Sequence, residues 1–92
     1  MISGLVLINV ERGKVNETAQ QLLEIEGVAE VYSVTGEYDL VAIVRLAQYD
    51  DLAEVVTERM IALDGITRTE TMMAFKAYSR ADLEQAWDIG VK

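Results

Sequence analysis

Val31-Tyr32-Ser33-Val34-Thr35-Gly36-Glu37-Tyr38-Asp39-Leu40-Val41-Ala42-Ile43-Val44-Arg45-Leu46 holds two apolar runs with a glycine between them. β-branched and aromatic residues dominate both runs, as in paired strands. Gly in the first place of a two-residue connection predicts a type II′ hairpin at Gly36-Glu37, because only Gly takes that positive φ cheaply. The two strands are read as Val28 to Thr35 and Tyr38 to Leu46.

On the N-terminal side, Leu5 to Val10 is a run of β-formers and reads as the first strand. The period then changes. Val15, Ala19, Leu22 and Leu23 share one face of a helix that opens near Lys14, and Gly27 suits the left-handed position past its end. On the C-terminal side, Asp50 and Asp51 are placed at the positive end of a second helix. Its apolar stripe is Leu52, Val55, Val56, Met60 and Leu63, and Asp64-Gly65 closes it as Glu26-Gly27 closes the first. Ile66 to Tyr78 reads as the last strand. Ser79 caps a short terminal helix, with Asp82 three residues on and Leu83 and Trp87 on one face.

The order is β-α-β-β-α-β, two similar halves meeting at the hairpin. This is the split βαβ, ferredoxin-like pattern: an α+β fold with an antiparallel sheet and both helices on one face. Right-handed crossovers place strands 1 and 3 centrally and strands 2 and 4 at the edges. Residues 1–92 read as a single domain, with 79–92 as a C-terminal helical extension. The strands are apolar on both faces, where a wetted face would alternate to polar. Leaving roughly five or six large side chains wet forfeits on the order of 10 kcal/mol. A second copy is therefore expected on the open face, as an obligate homodimer. Trp87 is either a lid on the domain's own core or an anchor for higher assembly.

Charge and composition exclude much chemistry. Eight basic residues face 16 acidic ones, a net charge of −8. Phosphate-neutralising contacts to nucleic acid need Lys and Arg, so direct nucleic-acid binding is not expected, nor is an anionic membrane surface. His and Cys are both absent, which removes imidazole acid–base chemistry, thiol nucleophiles and ordinary zinc or haem ligation. No phosphate-binding glycine motif occurs. No catalytic residue, metal or cofactor is expected, and no apolar run reaches a membrane span. The start lacks the basic segment of a signal peptide, so a cytoplasmic address is the default.

The polar residues that stand out are Tyr38 and Asp39 at the hairpin and the alternating Thr67, Thr69 and Thr71, which share one strand face. The threonines suit either plain β-propensity at an exposed edge or hydroxyl contacts to a ligand. Asp39 is either a solvated turn acid or the partner of an ammonium group. A free amino acid needs such an acid, together with N–H or hydroxyl donors for its carboxylate. A domain this small has no room for a private pocket of roughly 300 Å³ or more, so such a site would be shared between subunits.

Three segments in order carry a resemblance: Glu26-Gly27-Val28-Ala29-Glu30-Val31, Val34-Thr35-Gly36-Glu37-Tyr38-Asp39-Leu40, and Leu63-Asp64-Gly65-Ile66-Thr67-Arg68-Thr69-Glu70-Thr71. With them the chain resembles the effector-binding (RAM) domain of the Lrp/AsnC regulators. The resemblance implies sheet-to-sheet dimers, rings of dimers, and amino-acid effectors held between dimers near the turn. It assigns ligand binding to Gly36, Tyr38 and Asp39, to Thr69 and Thr71, and with less direct correspondence to Glu37 and Thr67. The chain starts at strand 1, so it resembles the stand-alone members, and the helix-turn-helix and its DNA binding are not carried over. Transcriptional control of amino-acid metabolism is then exerted indirectly, as a ligand-binding regulatory module. The alternatives are an adaptor subunit that joins a full-length Lrp/AsnC regulator without ligand, and a dimeric α+β-barrel enzyme.

Overall fold

The computed structural model describes residues 2–80. The expectation of a terminal helix bearing Asp82, Leu83 and Trp87 lies outside them. Four strands, β1 (Ile2–Val10), β2 (Val28–Ser33), β3 (Leu40–Leu46) and β4 (Ile66–Ala74), form one sheet in the order β2-β3-β1-β4. All neighbours are antiparallel, with the first and third strands central as the crossover rule requires. Helices α1 (Val15–Leu23) and α2 (Tyr49–Glu54) connect the strands, and α2 continues as a π-helical turn over Val55–Met60. The βαββαβ order is that of a ferredoxin-like fold.

Register sorts the side chains into two faces. Val6 and Ile8 of β1 and Leu40, Ala42 and Val44 of β3 point towards the helices and are fully buried. Leu22, Leu52, Val55 and Met60 close over them from the helical layer. Leu5, Leu7, Val41 and Ile43 point the other way and stay half-buried by their neighbours alone. Tyr32 and Met72, 50% and 47% exposed, extend that apolar face across the edge strands.

Several local readings change. The hairpin is longer than a two-residue turn. The last β2–β3 pair is Ser33 with Leu40, and the Val34 N–H donates to the Asp39 carbonyl at 3.0 Å, so the connection runs over 34–39. Gly36 does take the positive φ expected of it, at +107°. β1 starts at Ile2, where it meets Leu46, and β4 stops at Ala74 instead of Tyr78. In α1 the buried face is Thr18 and Leu22, while Leu23 is 52% exposed. The helix ends at Leu23 and a further turn intervenes before Gly27. The stripe of the second helix is broadly as read, but the helix is widened over Val55–Met60. Thr57 contributes there by donating its hydroxyl back to the Ala53 carbonyl at 2.6 Å, a bond that bends helices. Asp50 and Asp51 lie in the first turn of α2, with no side-chain capping bond.

The two turn glycines do different jobs. Gly27 has φ +99°, and a Cβ there would lie 2.4 Å from Leu46 Cδ2. Gly65 is not left-handed, and its missing Cβ makes room for the buried Thr18 hydroxyl, which would sit 2.5 Å away. Gly27→Ala is therefore expected to destabilise by roughly 1–3 kcal/mol, mainly through the backbone conformation. Urea unfolding reads this as a lower midpoint at constant slope. An unchanged midpoint would show that the turn does not hold its positive φ.

Candidate functional site

At one corner of the sheet the hairpin meets the C-terminal end of β1 and the start of β4. The strand ladder stops at Leu40, because Asp39 takes over the next bond with its side chain. The Asp39 N–H donates to the Ile8 carbonyl at 2.9 Å, and the Val10 N–H donates to Asp39 Oδ2 at 2.9 Å. The carboxylate thus substitutes for the backbone carbonyl that an uninterrupted β3 would have offered. On the other side of β1 the register slips between Asn9 and Val10, leaving Thr67 as the extra residue of a β-bulge. The Thr67 hydroxyl donates to the Asn9 carbonyl at 3.2 Å. Two predicted ligand residues, Asp39 and Thr67, therefore fasten the end of β1 from opposite sides.

Tyr38 reaches across to β4. Its hydroxyl donates to Glu70 Oε2, and the Arg68 guanidinium lies over its ring, 5.3 Å from the centroid. The bond to Glu70 raises the phenol pKa above its ordinary value near 10, with partial desolvation adding and Arg68 opposing. A phenol whose folded pKa is raised contributes stability below pH 10, and that contribution is lost as pH climbs through the folded value. In Glu70→Gln the Tyr38 transition is expected to fall back towards the ordinary range. Tyr32, raised in the same way by Glu30, should not move. Ultraviolet titration of the two proteins checks this, and an unshifted Tyr38 in the variant would remove Glu70 as the cause.

The predicted residues do not converge into one pocket. Gly36 and Glu37 are exposed at the hairpin tip, and a Cβ on Gly36 would meet nothing within 4 Å. Tyr38, Asp39 and Thr67 form the fastened corner. Thr69 pairs with Ile8 and Thr71 with Val6, so both point to the helix-covered face, away from the Tyr38 cluster. Thr67 leaves their alternation because the bulge displaces it. Arg68 and Glu70, to which the sequence reading assigned no role, are the charged partners of Tyr38. A charge at i and i+2 of a strand, opposite the threonine face, was the available signal.

Elsewhere, and contrary to the expectation that so small a domain has no room for a pocket of its own, a cleft of about 360 Å³ lies at the opposite end of the sheet, lined by Glu26, Arg45, Asp51, Glu54 and Arg59 among others. Its arginines already face Glu30 at 3.7 Å and Glu54 at 3.9 Å, both on exposed surface. Among the described residues no group of three carboxylates forms a metal-holding cluster, and no helix is long and apolar enough to cross a membrane.

The fold has known counterparts. TTHA0845 from Thermus thermophilus superposes with a TM-score of 0.81 at 49% identity, covering 87% of this chain and 100% of that one. The transcriptional regulator FL11 of Pyrococcus furiosus is 31% identical over 77 residues, 84% of this chain and 50% of the relative. A feast or famine regulatory protein from M. tuberculosis, complexed with L-methionine, matches at 27% identity and a TM-score of 0.73, over 87% of this chain and 54% of that one. The chain spans half or less of the length of FL11 and of two further Pyrococcus regulators that it matches. These relatives are HTH-type transcriptional regulators, in keeping with a non-catalytic role. Residues 3–83 match the Lrp/AsnC ligand binding domain, and the chain belongs to that family.

Proposed function

We propose that this protein is a cytoplasmic, amino-acid-binding regulatory module that acts as an oligomer of sheet-packed dimers, linked to transcriptional control but without DNA binding of its own. The observation that carries the proposal is the form of the hairpin corner. It offers an exposed glycine tip beside a half-buried carboxylate that spends one oxygen on the Val10 N–H. The other oxygen is available to an ammonium group, and the N–H groups around Gly36 and Glu37 suit a carboxylate. The corner is open to the outside, so it makes half of a site. Thr69 and Thr71 of a neighbouring copy complete it in this reading, with a ring of dimers as the assembly. The L-methionine complex of the M. tuberculosis relative supports the ligand class. The net charge of −8 argues against contact with phosphates.

A thermal-shift screen of the twenty amino acids tests the proposal. A ligand present at 100 times its dissociation constant adds about 2.7 kcal/mol to stability. No shift with any amino acid would favour the adaptor reading, in which Asp39 and Thr67 serve only to fasten the end of β1. Native mass spectrometry after co-expression with a full-length regulator would then detect the mixed assembly.

A further inference from the structure

An apolar groove of about 250 Å³ runs between α2 with its π-helical turn and β4, lined by Tyr49, Leu52, Ala53, Val56, Thr71 and Met73 among others. It lies at the end of the sheet where the chain leaves β4. Met73 pairs with Gly4, and a Cβ on Gly4 would touch the Leu52 side chain at 3.3 Å. The groove falls short of the ~300 Å³ typical of small-molecule sites but has room for one large aromatic side chain. Beyond β4 the chain passes through Phe75 and Tyr78, 101% and 82% exposed, and continues to residue 92.

The sequence that follows fits this groove. Leu83, Ala86 and Trp87 recur at i, i+3 and i+4, while Asp82, Glu84 and Asp88 occupy other positions. The match to the family domain covers residues 3–83, and Trp87 lies outside the matched residues. We propose that residues 81–92 dock in the groove of their own chain, with the Trp87 indole seated between α2 and β4. Burying an indole requires a partner for its N–H, and the hydroxyls of Thr57 and Thr71 are the groove's acceptors. Reach favours the same chain. Residues 75–79 extend up to ~17 Å, and a helix over 80–87, as the spacing of Leu83, Ala86 and Trp87 predicts, would return ~12 Å. A short tether also holds its end at roughly millimolar local concentration. The docking itself does not depend on the proposed function.

Trp87 is the sole tryptophan, so the full chain reports on its own docking. Its emission should be blue-shifted from that of N-acetyltryptophanamide and severalfold less quenched by acrylamide. Ala53 is exposed, so Ala53→Glu puts a charge in the groove without touching the core. That variant should restore quenching severalfold while leaving the far-ultraviolet circular dichroism unchanged. A solvent-like wild-type emission, or one indifferent to Ala53→Glu, would overturn the proposal. A mixture co-refolded from Ala53→Glu and Trp87→Phe chains separates the two sources of the segment. Own-chain docking predicts that Trp87 stays exposed in the mixture. Recovery of the blue-shifted emission would assign the groove to a second copy's segment and overturn it.

Discussion

Ile43→Asp is expected to abolish the proposed dimer, leaving a chain of about 10 kDa by sedimentation velocity at micromolar concentration that has lost most of its cooperative thermal transition. Ile43 sits mid-strand on the open face, between Leu5 on β1 and Glu30 on β2. With Leu7, Val41, Tyr32 and Met72 it forms an apolar surface on the side of the sheet away from α1 and α2. Covering about six such side chains is worth on the order of 10 kcal/mol, comparable to the stability of an entire domain. A carboxylate buried in that surface without a partner costs several kcal/mol more, which is why one substitution suffices. A wild-type chain that sediments as a folded monomer at the same concentration would rule the dimer out.

Asp39 should separate structure from binding. Asp39→Ala orphans the Val10 N–H and is expected to cost about 1–3 kcal/mol of stability. Asp39→Asn keeps an amide oxygen for that N–H and should unfold close to wild type. Both variants lose the charge that an ammonium group requires, so both should weaken amino-acid binding roughly 10- to 100-fold. Isothermal titration alongside urea unfolding gives the two readings. If Asp39→Asn binds as tightly as wild type, the carboxylate serves the β1 terminus alone and the effector contacts lie elsewhere.

The fold was written plainly in the residue pattern, because every element has a period and a breaker. Alternation on β1 separates Val6, Ile8 and Val10 from Leu5 and Leu7, and on β3 it separates Leu40, Ala42 and Val44 from Val41 and Ile43, but which set meets the helices is decided by tertiary packing. The duplicated glycine turns announced the two βαβ halves. What failed was local and tertiary in origin. Nothing in Tyr38-Asp39 says that the carboxylate will replace a strand carbonyl, since its partner is on β1, 29 residues away in sequence. The bulge at Thr67 was hidden for the same reason, and it broke the expected alignment of the three threonines. Thr18 is absent from the apolar face read for α1, yet it is buried against the space left by Gly65. Tyr38, Asp39 and the three threonines stand out in the sequence as polar residues, but only the family resemblance assigns them to one ligand, and the structure puts the candidate residues in three places. That dispersion is what a site shared between copies would require.

Where an amino acid lands on the protein decides whether the hairpin corner is its site. Titrating the amino acid that gives the largest thermal shift into ¹⁵N-labelled protein, and following the backbone amide resonances, reads this residue by residue. Saturable shifts should concentrate at Gly36 to Leu40, at Val10, and at Thr67 to Thr71. Shifts confined to the cleft around Glu26, Arg45 and Arg59, with the hairpin amides unmoved, would refute the corner as the effector site.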